Sequence, residues 1–422
     1  MTGSAHAQKP LRVLVSEGNS TSAREAITIL GLSGHLVEVC DPSPVCLARF
    51  SRFVRKFHRC PGLRDDPAGF LAFLENLLAA QPFDVLLPIH EQGFLLARAR
   101  HRLPDRVGLA LPDFESYRAV HNKAGFSRLL DGLGLPQPPT RIVQSADELC
   151  CAIRFPCVVK TSIGTASRGV WFVRDDADLD RALQALQEVH LSGAFASEVL
   201  VQDFVAGATE KAQGVFCRGR LLGFHAYRQI AAGAGGGEAI KQSVSRPELR
   251  QLLATIGEKL AWHGALSVDT ILPDAGATPL LIDCNPRLVE PMSAYLAGLD
   301  LVGLLLRISL GETPEAAGES RADVRTHLAM QALLGCAARG ATRRELVREC
   351  WRLSIRGGPY AGSVEELTPV RLDWTGAVPL AMIALVLLAA PASAPRLARG
   401  GWGGHLLDLD SIRRIESDDF GR

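Results

Sequence analysis

None of the ten cysteines pairs with another at CxxC spacing. They are scattered at Cys40, Cys46, Cys60, Cys150, Cys151, Cys157, Cys217, Cys284, Cys336 and Cys350, which argues against a thiolate zinc centre. Met1 to Pro10 is polar and lacks the apolar stretch of a secretory signal. The expected compartment is therefore a reducing cytoplasm, with the thiols free. Neither sign of charge is in excess: 46 Lys and Arg face 45 Asp and Glu, a net +1. That balance predicts no nucleic-acid or anionic-membrane partner. The apolar run 377–390 falls short of the roughly 20 residues of a membrane span and contains Pro379. It reads as a buried helix. Internal repeats and a biotinyl Met-Lys-Met segment are also missing. What remains is globular: 47% hydrophobic and 22% charged residues over 422 positions, too many for one core, so two or three domains.

Leu11 to Ser16 is a β-branched run that reads as a buried strand, and Gly18 to Ser22 supplies turn and N-cap residues. A helix over 24–32 and a strand over 36–40 complete a βαβ unit, so the N-terminal part should carry a parallel sheet. Helices over 70–80 and 91–100 flank a further strand at 83–87. From 121–133, a helix, the chain runs into Leu135-Pro136-Gln137-Pro138-Pro139-Thr140, an extended linker because proline restrains φ and the preceding residue. Strands at 157–160 and 169–173 form a hairpin. Further strands are expected at 199–204, 214–217, 220–225, 265–272 and 280–284, with helices at 179–190 and 246–262. This is an antiparallel α+β pattern, unlike the first region.

Several segments carry residue types suited to chemistry. Lys160 closes a strand and precedes a small-residue loop through Gly164, Ser167, Arg168 and Gly169. Small residues let backbone N–H groups approach phosphate oxygens, although a plain turn has the same composition. Gln202, Asp203 and Val205 end a strand before Gly207, with Glu210 beyond; taken alone, this segment reads better as an ordinary strand end with a surface Glu. More telling are Asp269 and the run Asp283-Cys284-Asn285-Pro286-Arg287. If the two strands pair as a hairpin, both carboxylates face one side, with Asn285 pointing the same way as Asp283. Such hard oxygen ligands suit Mg²⁺; the bland reading is a structural turn.

Together, in this order, these segments resemble the ATP-grasp superfamily, in its carbamoyl-phosphate-synthase-like and carboxylate–amine ligase branch, over about 10–312. The likeness rests on Asn122-Lys123 before the proline-rich linker, Val158-Val159-Lys160 with its loop, the run from Val201 to Gly207, and the run from Leu281 to Arg287. It implies an α/β and α+β ATP-grasp fold: a parallel-sheet pre-ATP-grasp domain over 10–113, a two-lobed ATP-grasp domain over 114–312, and a C-terminal extension over 313–422. It also implies roles. Lys123 and Lys160 hold ATP phosphates, and Gly164 to Gly169, including Ser167 and Arg168, cover them. Gln202, Asp203 and Val205 meet adenine, and Glu210 the ribose. Asp269, Asp283 and Asn285 ligate Mg²⁺, for which Mn²⁺ is a natural substitute. Arg287 meets the transferred phosphoryl group, and Arg228 with Gly233 to Gly237 lies on the substrate side. One departure stands out: the family usually has Glu where this chain has Asp283, which makes bridging of two metals less certain.

The implied reaction is phosphorylation of a carboxylate by MgATP to an acyl phosphate, a far better leaving group than oxide, followed by attack of an amine. The partners are then small carboxylate and amine molecules, with the extension shaping the pocket or forming a homodimer interface. A bicarbonate-using carboxylase or carbamoyl-phosphate-type enzyme is an alternative, weakened by the missing biotinyl segment and by the single ATP-grasp unit. A non-catalytic ATP-binding protein is a third, kept open by Asp283. His121, His225 and Asp300 are left outside the site, and the acidic stretch at Asp175, Asp176, Asp178 and Asp180 reads as a helix cap.

Overall fold

The computed structural model describes residues 9–164, 169–187, 194–273, 277–367, 369, 371–400 and 405–417. Four parallel strands, in the order Val54–Arg59, Leu36–Asp41, Arg12–Val15 and Val85–Leu87, form the first sheet. Val13, Leu14 and Val15 are inaccessible to solvent, as expected of a strand covered on both faces. Ser20 caps the helix Thr21–Leu32 by accepting from the Ala23 amide. The edge strand Val54–Arg59 was not foreseen: VRKFHR is half charged and lacks a buried run.

Two further sheets follow, the small one wholly antiparallel and the large one antiparallel through its first five strands. The small one orders Thr140–Ser145, Ala194–Asp203, Cys157–Thr161 and Val170–Val173. Its inner face packs Val159, Val173, Val199 and Val201 against Leu149 and Leu186. The large one begins Leu280–Asn285, Gly264–Leu272, Ala208–Cys217, Arg220–Ala232, Glu238–Val244. The expected 121–133 helix runs Lys123–Leu133, and an unforeseen helix, Phe114–His121, precedes it; Asn122 divides them, its Oδ1 capping the second from 2.9 Å.

Residues 313–422 do not stand apart. Arg325–His327 and Val364–Glu365 continue the large sheet beyond Glu238–Val244, and Gly318–Glu319 pairs with Arg220–Ala232. Leu407, Ile412 and Ile415 enter the core that holds Phe70, Leu74 and Phe94 of the N-terminal region. Asp373 binds Arg24 at 2.8 Å, with neither side chain exposed.

The apolar run is a helix, Ala377–Ala389, but it is not the buried helix its composition suggests. Only Pro379 and Leu387 are buried, while Leu385 is 67% and Met382 51% exposed. Apolar residues occupy every side of this helix, and a helix at the edge of a layer can bury only one. Among the described residues no helix is long and apolar enough to cross a membrane.

Candidate active site

The extended linker joins the two antiparallel sheets. Asp203 donates its amide to Pro139 O and Leu281 donates to Pro136 O, both at 2.9 Å. The strand Cys157–Thr161 thus lies across the cleft from Leu280–Asn285. Strand alternation turns Val159 into the small sheet's core and Lys160 into the cleft. Lys160 Nζ donates to Gln202 Oε1 at 2.8 Å and, across the cleft, to Ile282 O at 3.1 Å. Burial lowers its pKa to about 8, against the pull of Asp283. Lys123, first residue of its helix, donates its amide to Ser162 O at 2.9 Å and its ammonium to Gly164 O, and lies 3.8 Å from Asp283. Two cations from separate elements therefore lie in the field of one carboxylate.

Asp269 and Asp283 are cross-strand partners, as are Ser267 and Asn285, so both carboxylates and the Asn285 amide share a face. Burial, with Asp283 and Glu238 near, raises the Asp269 pKa, although Lys211 stands 3.6 Å away. A half-buried carboxylate held above its ordinary range beside another carboxylate is a donor set that a divalent cation would relieve. The residues present therefore fit Mg²⁺. Arg287 closes the far end: its Nη2 donates to Asn285 Oδ1 at 3.2 Å, and its carbonyl accepts from Ser267 Oγ at 2.6 Å. Burial draws its pKa below the ordinary arginine value, against the field of Glu91.

Two expected members do not join this face. Arg228 pairs with Glu210 across the strands and Tyr227 with Lys211, while Lys211 pairs with Asp269. Alternation therefore turns Arg228 and Glu210 to the opposite side of the sheet from Asp269. There Glu210 is fully buried, and its two oxygens bind Arg228 at 2.8 Å and Arg246 at 2.7 Å. Gly233 to Gly237 form a hairpin turn closed by Gly233 N to Gly237 O at 2.7 Å, against Gln331 of the extension. Asp203 pairs with Arg141. Ser167 and Arg168 lie outside the described residues.

The bland readings hold elsewhere. His225 sits between Ser320 and Ser293, at 2.7 and 3.0 Å, and Asp300 caps a helix through Gly303 N at 2.7 Å. Asp175 accepts from Asp178 N at 2.9 Å.

His121, left outside the site on sequence grounds, stands at it together with residues that had no signal in the sequence. His121 lies in the field of Lys123, Asp283 and Arg287, and burial lowers its pKa to about 4, so it is neutral at pH 7. Phe172, 61% exposed, pairs with Val158 on the Lys160 side of the sheet, and packs edge-to-face with the 45% exposed Phe204 at 6.4 Å. Two uncovered aromatic rings beside Gln202 are suited to stacking on a planar base. Behind Asp269, Lys211 binds Glu238 at 2.7 Å. Lys241, fully buried, lies between Glu290 and Glu366, the latter from the extension. At the carboxyl ends of the first sheet, His405 bonds Asp41 at 2.9 Å and lies 3.8 Å from Glu17.

Residues 120–291 match the family model of the ATP-grasp domain. This chain carries an ATP-grasp domain. Multifunctional protein CAD of Squalus acanthias is 23% identical over 264 residues, 56% of this chain and 11% of that protein. Formate-dependent phosphoribosylglycinamide formyltransferase of Parabacteroides distasonis is 29% identical over 136 residues, 31% of this chain and 34% of that protein. The chain thus spans less than half the length of these curated relatives. An ADP complex of N5-carboxyaminoimidazole ribonucleotide synthetase superposes with a TM-score of 0.60 at 16% identity, covering 82% of this chain and 86% of that one. That likeness extends the shared fold beyond the matched domain, into the parallel-sheet region.

Proposed function

We propose that this protein is an ADP-forming ligase that activates a carboxylate as an acyl phosphate and joins it to an amine. The observation that carries this is the meeting of Lys123, Lys160, Asp269, Asp283, Asn285 and Arg287, from four separate segments, in one cleft between two sheets. Phosphoryl transfer requires placement and charge neutralisation more than covalent help from the protein. In this reading adenine lies at Gln202, Asp203 and Val205, beside Phe172 and Phe204. Lys123 and Lys160 hold the phosphates, with Gly164, whose carbonyl accepts from Lys123, beside them. Asp269, Asp283 and Asn285 would hold Mg²⁺, which supplies further positive charge at the phosphates. Arg287 orients the carboxylate for in-line attack on the γ-phosphoryl group and then stabilises the acyl phosphate. The amine displaces phosphate, forming the new acyl–nitrogen bond and releasing its proton. Arg228 and Glu210 take no part.

The same reading has the protein act in the cytoplasm on small molecules. The uncovered face of Ala377–Ala389 is the surface proposed for a homodimer contact.

The test is ADP and phosphate release from MgATP with paired panels of carboxylates and amines, and a bicarbonate arm, with Lys160→Ala alongside. Release that needs both partners and is lost in the variant supports the ligase. Release with bicarbonate alone moves the assignment to a carboxylase, and MgATP binding without release under any pair speaks for a binding protein.

A further inference from the structure

A cavity of about 370 Å³ lies behind the phosphate-side segment. It adjoins the nucleotide cleft at Gly164 and Gly169 but lies on the other face of the small sheet. Lys160 pairs with Leu200 and Val158 with Gln202, so these four side chains project to the cleft face of the small sheet. Thr161 and Val199 pair with each other one residue on, hence project to the other face, and it is they that line the cavity. Trp171, Leu186 and Phe195 complete this wall, and all belong to the small-sheet lobe. The roof comes from the far end of the chain, chiefly Leu406 and Leu409, with Arg64 beside it.

Roof and wall come from different parts of the chain. The roof segment is held to the N-terminal region: His405 bonds Asp41 and Gln92, each at 2.9 Å, and Leu407 N donates to Glu91. The wall rides on the small-sheet lobe. The volume falls in the range of small-molecule pockets, and mostly apolar walls with a few charged groups at one side are their usual lining. Arg64 supplies a cation there. Its contacts with Asp65 and Asp408 are long, 3.4 and 3.9 Å, so an arriving anion replaces weak pairs with a strong one.

We propose that this cavity binds a small molecule with an apolar ring or chain and one anionic end, the anion on Arg64, and that the bound molecule fastens the small-sheet lobe to the C-terminal segment. The proposal rests on the ligase reading only in treating that lobe as the cover of the nucleotide; binding itself needs neither ATP nor turnover.

The experiment uses the full chain without nucleotide and two probes, 1-naphthaleneacetate and the neutral 1-naphthalenemethanol. Calorimetry should show the acetate bound about tenfold more tightly than the alcohol, a preference lost in Arg64→Ala. Leu406→Trp and Ser197→Phe, which fill the cavity from opposite walls, should each abolish binding of both probes, with melting curves confirming that at least one is folded. In wild type the acetate should slow amide hydrogen exchange in Cys157–Thr161 and Val170–Val173. Undetectable binding, binding that survives in a folded cavity-filling variant, or unchanged exchange on binding overturns the proposal. A ligase assay that fails while the probe binds and slows exchange would count against the catalytic reading alone.

Discussion

Asp373→Asn removes one charge and changes no shape, yet it should cost this protein about 3–5 kcal/mol, the usual penalty for stranding the partner of a buried ion pair. Asp373 is completely buried. Its Oδ2 accepts from Ser51 Oγ at 2.5 Å and faces Arg24 Nη2 at 2.8 Å; its Oδ1 accepts from Arg52 N at 3.1 Å and Thr375 Oγ1 at 2.9 Å. Four donors converge on two oxygens. An amide keeps one acceptor and points two N–H groups at donors, while the Arg24 guanidinium loses its counter-charge. Arg24 already bears a burial cost, since burial lowers its pKa and Asp373 is what opposes that. Because Asp373 lies in the extension and Arg24 in the first helix, the loss should appear as release of the extension. The assay is urea denaturation followed by tryptophan fluorescence, with Arg24→Met and the double variant completing a cycle. Once Arg24 is gone, Asp373→Asn should cost less, leaving a coupling of about 1–3 kcal/mol. A loss below about 1 kcal/mol, or strictly additive single variants, would refute the claim that this pair pins the extension.

Three further outcomes concern the cleft. Lys160, with its pKa lowered to about 8, is mostly charged at pH 7 and discharges as pH rises through 8, so MgATP affinity should fall by up to about tenfold per pH unit above that point. Stability of the nucleotide-free protein should move the other way, rising between about 8 and the ordinary lysine value, because there the unfolded chain binds more protons; a flat affinity profile in wild type, or a sloping one in Lys160→Met, contradicts this. Phe172→Ala should weaken nucleotide binding about tenfold while Phe172→Trp retains it, measured by calorimetry with ADP, since base stacking is worth about 1–3 kcal/mol. Asp283→Asn should weaken Mg²⁺-dependent ATP binding at least tenfold, about 1.4 kcal/mol, and leave metal-free nucleotide binding nearly unchanged; equal losses with and without Mg²⁺ would instead make Asp283 a partner for Lys123 alone.

The cleft was legible because its residues sit on short strands where apolar alternation breaks into charge. The run Leu281-Ile282-Asp283-Cys284-Asn285 encodes its own geometry: period-two alternation places Asp283 and Asn285 together, and pairing with Asp269 follows once the hairpin forms. The same arithmetic, carried one strand further, would have separated Glu210 and Arg228 from this site, since Lys211, not Glu210, shares the parity that faces Asp269. That step needs the register between distant strands, which nothing local in Ala208–Cys217 supplies. The extension was opaque for a related reason. Its strands are two or three residues long, too short to show a period, and they form on backbone offered by Arg220–Ala232 and Glu238–Val244. Glu366 and His405 likewise look like isolated surface charges in the sequence. They become buried partners of Lys241 and Asp41 only through contacts 125 and 364 residues away. Burying either charge without its partner would cost several kcal/mol. The fold of the last hundred residues is therefore specified by the ATP-grasp region they pack on, not by their own pattern, and a fragment confined to 313–422 should lack the sheet edge and the counter-charges that order it.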